Sequence, residues 1–180
     1  MHDLARHLGE RNLVSIYRER IDSNSMEGYV LALSDDLVVL QFVYDFKLDG
    51  LMVIRAADIS DVRCSETDRF QKKLMSDEGL EQMVPFDAAF NTGNWRALLS
   101  QFAQQHPIMI LECEAQDEPD FVIGRILKTS ADKVQILGFS GDGTWDDKPT
   151  RLALGDLTSC RVGTNYIEVY QRYFERMARH

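Results

Sequence analysis

The chain has 180 residues, of which 44% are hydrophobic, and its 20 basic and 29 acidic residues give a formal net charge of −9. Both halves of the chain are acidic, so DNA is not an expected partner and RNA is disfavoured, because a phosphate backbone attracts clustered lysine and arginine. No apolar run approaches the roughly 20 residues that span a bilayer, and no secretory signal opens the sequence, so we expect a cytoplasmic protein without a membrane partner.

The first part of the chain predicts a helix followed by several strands. DLARHLGER, residues 3–11, has the composition of a helix, and LVSIYRER, residues 13–20, that of an apolar strand. GYVLALSDDLVVL, residues 28–40, reads as a buried strand with a polar interruption. A shorter amphipathic helical segment is expected around Phe70 and Leu74.

Residues 79–93 predict a linker between two similar halves. Gly79, Pro85 and the sequence Asn-Thr-Gly at 91–93 are turn signals. The second half then begins as the first did, with a helix over NWRALLSQFAQQ (94–105) and an apolar strand over IMILECEA (108–115).

The chain ends in a strongly amphipathic segment, NYIEVYQRYFERMARH. Ile167, Tyr170, Phe174 and Met177 recur at spacings of three and four, which places them on one face of a helix. Asn165 is a plausible N-cap for this helix. We expect the apolar face to dock, either within the same chain or on a partner.

Two stretches of the chain resemble each other. GYVLALSDDLVVL (28–40) and GRILKTSADKVQI (124–136) share Gly, Leu, Ser, Asp and Val at equivalent positions, and IRAADISDVR (54–63) answers LALGDLTSCR (152–161). A match that continues across a loop of different length indicates a duplication. Gly28 and Gly124 lie within strand patterns, where glycine marks a bend or bulge. The expected fold is mainly β with flanking helices: two tandem small bent-strand barrels, 1–78 and 94–180.

These motifs resemble those of the Sm-like family of small β-barrels. VSIY (14–17) is similar to the first strand of its bacterial members, residues 28–40 resemble the Sm1 motif, and IRAADI (54–59) resembles the Sm2 motif. The resemblance implies Sm-like, SH3-like barrels that associate through the edges of their fourth and fifth strands. It also implies that a protein partner or self-association is to be expected.

The chain departs from the family pattern where that family binds RNA. Ser34 stands where the Sm1 motif usually has aspartate, Val38 where the uridine-binding asparagine occurs, and Ala56 where the Sm2 motif has glycine. Ser130 and Val134 repeat the first two departures in the second half. The resemblance therefore implies the fold, while an RNA pocket is not expected.

A few residues are candidates for ligand or interface contacts. Asp58 and Asp156 each precede an apolar residue at the turn into the last strand, where a carboxylate either holds the turn or contacts a ligand. Trp145 lies in the loop SGDGTWDDKP and either contacts a partner or packs on its own barrel. The candidate positions are Arg55, Asp58, Trp145, Asp156, Tyr170 and Phe174.

The sequence offers no motif for catalysis. It contains no HExxH, phosphate-binding glycine loop or Ser-His-Asp order, and its aspartate-rich loop lacks the complete calcium pattern. The cysteines, Cys64, Cys113 and Cys160, show no CxxC spacing. We therefore expect no enzyme activity, catalytic residue, metal or cofactor. The leading hypothesis is a non-catalytic interaction or assembly module of two fused Sm-like barrels, and the alternative is a divergent Sm-like RNA-binding regulator.

Overall fold

The computed structural model describes residues 2–179, and this part of the chain is mainly β, with ten strands and four α-helices. It divides into two compact units, Met1–Gly93 and Asn94–His180. Met1 and His180, which belong to the expected barrel ranges, lie outside the described residues. No helix in the described part is both long enough and apolar enough to cross a membrane.

The first unit is an antiparallel sheet with a helix before it and a helix after it. Its elements are α1 (His2–Gly9), β1 (Leu13–Arg18), β2 (Asp22–Leu33), β3 (Leu37–Tyr44), β4 (Lys47–Arg55), β5 (Asp61–Arg63) and α2 (Glu66–Asp77). The strand order is β5-β1-β2-β3-β4, and within the described residues β4 and β5 do not pair, so this sheet is open rather than closed by hydrogen bonds.

The core of the first unit is built from alternate residues of neighbouring strands. Successive side chains of a strand point to opposite faces, so every second residue reaches the same core. Leu4 of α1 covers one side of this core. The buried cluster contains Leu4, Val14, Ile16, Met26, Val30, Val38, Leu40, Met52 and Ile54.

The polar interruption in residues 28–40 is a turn between two strands. The Ser34 hydroxyl accepts a hydrogen bond from the Leu37 N–H at 3.0 Å, and the Ser34 N–H donates to the Leu37 carbonyl at 2.8 Å. The stretch is therefore the end of β2 and the start of β3. A short polar side chain that bonds the backbone two or three residues later favours such a turn over a continuous strand.

Helix α2 packs through residues other than those expected from its pattern. Phe70 and Leu74 are exposed, whereas Asp68 and Met75 are buried. Asp68 is held by a capping box: Ser65 accepts from the Asp68 N–H, and the Asp68 carboxylate accepts from the Ser65 N–H. The helix has 12 residues and is not markedly shorter than its counterpart at the C-terminus, which has 13.

The segment predicted as a linker, 79–93, is folded against the first unit. Val84 is buried, and the ring of Phe86 stands edge-on to Tyr29 at 5.6 Å between centroids. The Arg11 guanidinium lies 4.7 Å from the centre of the Phe86 ring. These contacts hold the segment against the rest of the unit. The turn signals at Gly79 and Pro85 did not indicate that it would be packed in this way.

The second unit repeats the strand order of the first. Its elements are α3 (Trp95–Gln105), β6 (Met109–Cys113), β7 (Asp120–Thr129), β8 (Lys133–Gly138), β9 (Thr150–Ala153), β10 (Ser159–Val162) and α4 (Asn165–Met177). The order is β10-β6-β7-β8-β9, which is that of the first unit when β6–β10 are matched to β1–β5, and within the described residues its end strands, β9 and β10, do not pair with each other.

Gly28 and Gly124 occupy equivalent close approaches between strands. A Cβ at position 28 would lie 2.6 Å from the Gln41 carbonyl oxygen, and one at position 124 would lie 2.7 Å from the Leu137 carbonyl carbon. Side chains do not tolerate such distances, so the neighbouring strand requires glycine at both places.

A bulge follows each of these glycines at the same spacing. The β2–β3 register shifts between Val30 and Ala32, and the β7–β8 register shifts between Ile126 and Lys128. A bulge bends the strand and increases its twist. The expected bend glycines therefore lie beside real irregularities of the sheet in both units.

Candidate interaction surface

Three of the candidate residues meet around Phe139 in the second unit. The ring of Phe139 lies 5.1 Å from Trp145, 4.9 Å from Tyr170 and 4.9 Å from Phe174 between centroids. Ile167, on the same face of α4, is buried. The helix thus docks within its own unit, against the end of β8 and the loop that follows. Phe139 was missed by the sequence analysis because it follows the strand pattern without belonging to any motif.

Trp145 packs back on its own unit rather than projecting from the loop. Its ring lies 4.7 Å from that of Phe174, and the Arg125 guanidinium lies 5.2 Å from its centre. The Tyr170 hydroxyl donates a hydrogen bond to the Gly141 carbonyl at 2.8 Å. Gly143 has φ of 80° and leaves no room for a Cβ beside the Tyr173 ring. The loop and α4 therefore form one packed element.

The start of α4 differs from the expected cap by one residue. The Thr164 side chain accepts a hydrogen bond from the Ile167 N–H at 3.2 Å, so Thr164 rather than Asn165 is the N-cap. Met177, expected on the packed face, is 59% exposed. The packed face of α4 is therefore confined to its first three turns.

The aspartate-rich loop uses its first carboxylate to hold its own backbone. Asp142 accepts hydrogen bonds from the Ser140 hydroxyl at 2.5 Å and the Thr144 N–H at 3.1 Å. These bonds, that of Ser140 foremost, hold the pKa of Asp142 below its ordinary value. Among residues 2–179 no group of three or more His, Cys, Asp or Glu side chains could hold a metal ion.

The rings of Phe139, Trp145, Tyr170 and Phe174 form an aromatic cluster. A cavity of about 430 Å³ opens beside this aromatic cluster. Phe121 and Tyr166 line it and remain 54% and 51% exposed. Tyr166 stands edge-on to Tyr170, with 5.2 Å between ring centroids, so the cavity is continuous with the packed cluster. The lining residues are Asp120, Phe121, Val122, Ile123, Gly138, Phe139, Gly141, Asp146, Thr150 and Tyr166.

Two carboxylates, Asp120 and Asp146, face this cavity. The Asp146 N–H donates to the Gly138 carbonyl at 2.9 Å, which fixes its backbone. A Cβ at position 138 would lie 2.5 Å from Asp146 Oδ2. The Asp146 carboxylate therefore occupies space that a side chain at position 138 would fill. Within residues 2–179 neither carboxylate makes a side-chain hydrogen bond or an ion pair. No motif in the sequence indicated this pair.

Arg55 and Asp58 form a local ion pair in the first unit. Arg55 Nε lies 2.7 Å from Asp58 Oδ2, and Nη2 lies 2.9 Å from Oδ1. The bidentate pair spans the turn after β4, so Asp58 holds the turn through a guanidinium rather than through backbone N–H groups. In the second unit Ala153 replaces the arginine, and Asp156 is exposed, its N–H bonded to the Ala153 carbonyl at 3.1 Å.

A buried polar network joins β6 and β10. Glu112 accepts a hydrogen bond from the Ser159 hydroxyl, and Arg161 Nη2 lies 3.1 Å from Glu112 Oε2. Between Ser159 and Arg161, burial and the neighbouring Glu112 raise the pKa of the Cys160 thiol well above its ordinary value. This thiol stays protonated near neutral pH and is not an activated nucleophile.

Comparison of the chain with models of protein families, with curated proteins and with solved structures finds no match. The aromatic cluster, the cavity with its two carboxylates and the exposed side chains beside them together form the candidate interaction surface of the second unit.

Proposed function

We propose that the protein is a non-catalytic interaction module that binds a protein partner through the candidate interaction surface. The observation that carries this proposal is the exposure of Phe121 and Tyr166 at the rim of one cavity. Monomeric proteins rarely leave contiguous large apolar groups in water, and such patches mark binding sites. Burying a side chain of this size contributes about 1.5–3 kcal/mol, so covering two half-exposed rings supplies roughly that amount.

We also propose that each unit is a divergent Sm-like barrel left open between its end strands. Both units have the same strand order, a glycine at the same close approach and a bulge two residues later. Ser130 repeats the turn of Ser34: its N–H donates to the Lys133 carbonyl at 2.8 Å, and its hydroxyl accepts from the Lys133 N–H at 3.2 Å. Such detailed agreement supports a duplication.

The edge strands give copies of the protein a second means of contact. Within residues 2–179, β5 (Asp61–Arg63) pairs only with β1, and β9 (Thr150–Ala153) pairs only with β8. An edge strand with unpaired backbone groups can accept a strand from another chain. Self-association through these edges is therefore the second kind of partner that we propose.

The experiment is a pull-down with the tagged full chain, followed by mass spectrometry of bound proteins and sequencing of bound RNA. It compares the wild type with the double variant Phe121→Ser/Tyr166→Ser. The control is Leu127→Ser, because Leu127 is an exposed apolar residue of the same unit that does not line the cavity. Circular dichroism verifies that all three proteins are folded.

We expect one protein partner to be recovered with the wild type and with Leu127→Ser, and to be lost with the double variant. An identical set of proteins for all three samples would contradict the proposal. Recovery of a defined RNA in place of a protein would favour the RNA-binding alternative.

A further inference from the structure

We propose that the cavity of the second unit binds a cationic side chain, arginine or lysine, of a basic segment in the partner protein. This inference rests on the proposed function and names the chemistry that the surface recognises. It starts from the two carboxylates that face the cavity, Asp120 and Asp146, neither of which is paired within residues 2–179. A guanidinium or ammonium group would form charge-assisted hydrogen bonds with them.

The aromatic rings at the rim suit the same ligand. Phe121 and Tyr166 line the cavity and are about half exposed, so part of each ring is accessible to a ligand that enters it. A cation over an aromatic face is attracted by the ring quadrupole, and the methylene stem of arginine or lysine packs on apolar surface. Carboxylates with aromatic rings beside them recognise both the charge and the stem, which a simple inorganic cation would not exploit.

The second unit already contains one contact between a guanidinium group and an aromatic ring. Arg125 places its guanidinium 5.2 Å from the centre of the ring of Trp145, the residue that precedes Asp146 in the chain. Because Arg125 lies on Trp145, which does not line the cavity, it leaves the cavity open for a second cation.

The charge around the cavity attracts a cation. The loop before β7 carries Glu114, Asp117 and Glu118 and no basic residue, and Asp120 follows as the first residue of β7. The loop before β9 carries three aspartates at 142, 146 and 147 against a single lysine at 148. Asp120 at the start of β7 and Asp146 in the second loop both line the cavity. Such clustered charge raises the local concentration of cationic ligands and repels a phosphate backbone, so a basic protein segment fits better than RNA.

The size of the cavity is compatible with a side chain and its neighbours. Ligand clefts of proteins usually have volumes of about 300–1,000 Å³. The volume of about 430 Å³ lies at the lower end of this range. It suits one long side chain and part of the backbone that carries it.

The test is a titration of the ¹⁵N-labelled full chain by NMR with the peptide acetyl-Gly-Arg-Arg-Gly-amide. A peptide of the same length with citrulline in place of both arginines removes the charge and keeps the shape. The variants are Asp146→Asn and Asp120→Asn. The matched control is Asp147→Asn, because Asp147 is the next residue in the same loop but does not line the cavity.

We expect saturable shifts of the amides that line the cavity with the arginine peptide and at least tenfold weaker binding of the citrulline peptide. Each cavity variant should weaken binding of the arginine peptide at least fivefold, while Asp147→Asn should change it less than twofold. Equal losses for Asp146→Asn and Asp147→Asn would overturn the inference, since they would indicate general charge attraction. Absence of binding, or binding of spermidine as tight as that of the peptide, would also overturn it.

The inference and the proposed function can fail separately. If the partner found by pull-down is lost with Phe121→Ser/Tyr166→Ser but retained by both Asp120→Asn and Asp146→Asn, the surface binds a protein without a cationic anchor. In that case the further inference is wrong and the proposed function stands. If no protein depends on the two aromatic residues while the arginine peptide still binds in the cavity, the proposed function is wrong.

Discussion

Replacing Gly124 by alanine tests whether the close approach of β7 and β8 determines the stability of the second unit. The added methyl carbon would lie 2.7 Å from the Leu137 carbonyl carbon and 2.8 Å from the Gly138 Cα, and closer still to the Leu137 carbonyl oxygen. All of these are backbone atoms of the paired strand, so no side-chain rotation relieves the clash. The two strands must separate or the bulge must rearrange.

The expected loss of stability follows from two opposing effects. Forcing an extra methyl group into a packed region costs about 1–3 kcal/mol. Alanine in place of a strand glycine recovers about 0.5–1 kcal/mol, because glycine loses more backbone entropy on folding. Since the contacts at Gly124 are with immobile backbone, we expect a net loss near 2 kcal/mol. With a urea m-value of about 2 kcal/mol/M, this lowers the unfolding midpoint by about 1 M.

Tryptophan fluorescence during urea unfolding reports on the stability of the second unit. Both tryptophans of the chain, Trp95 and Trp145, lie in the second unit. The matched control is Gly155→Ala, because Gly155 has open space where a Cβ would be added. That variant should match the wild type or exceed its midpoint slightly. A midpoint for Gly124→Ala equal to that of Gly155→Ala would refute the reasoning.

Three further outcomes are expected. First, hydrogen bonds to Asp68 from Ser15 and Ser65 outweigh the effect of burial and hold its pKa below the ordinary value, so its charge stabilises the fold above that value. Asp68→Asn should therefore lower the free energy of unfolding at pH 7 by about 1 kcal/mol, and in a urea series the difference should begin to shrink near pH 4 and be lost as the pH falls through the lowered pKa of Asp68. Second, truncation after Gly163 removes α4 and its contacts with Phe139, so the melting temperature should fall while sedimentation shows the same oligomeric state; a halved mass would instead place the helix in an oligomer contact. Third, U-rich and A-rich oligonucleotides should bind only weakly at physiological salt; sub-micromolar binding that is lost on mutation of Arg55 would contradict this.

Local patterns in the sequence predicted those features that depend on neighbouring residues. Gly28 and Gly124 indicated irregular strand positions, and each lies two residues before a shift of register. The spacing of Ile167, Tyr170 and Phe174 indicated the packed face of α4, because helical geometry brings residues three and four apart onto one side. The mainly β class with flanking helices followed in the same way from alternating strand patterns and turn signals.

Features that depend on distant parts of the chain were decided only in the tertiary structure. Phe139 is the centre of the aromatic cluster because the end of β8, the following loop and α4 converge on it, and no local pattern encodes that convergence. The buried carboxylate of Asp68 accepts a hydrogen bond from the Ser15 hydroxyl, 53 positions away, and no local pattern encodes this contact.

The cavity illustrates both what the sequence predicted and what only the tertiary structure determined. Asp120 is the first residue of β7 and Asp146 lies in the loop after β8, and the pairing of β7 with β8 brings both to one opening. Composition indicated only that the segments around them are charged. The register of the strands and the absence of a side chain at Gly138 determined that two of their carboxylates face one cavity, because only folding converts separation along the chain into distance in space.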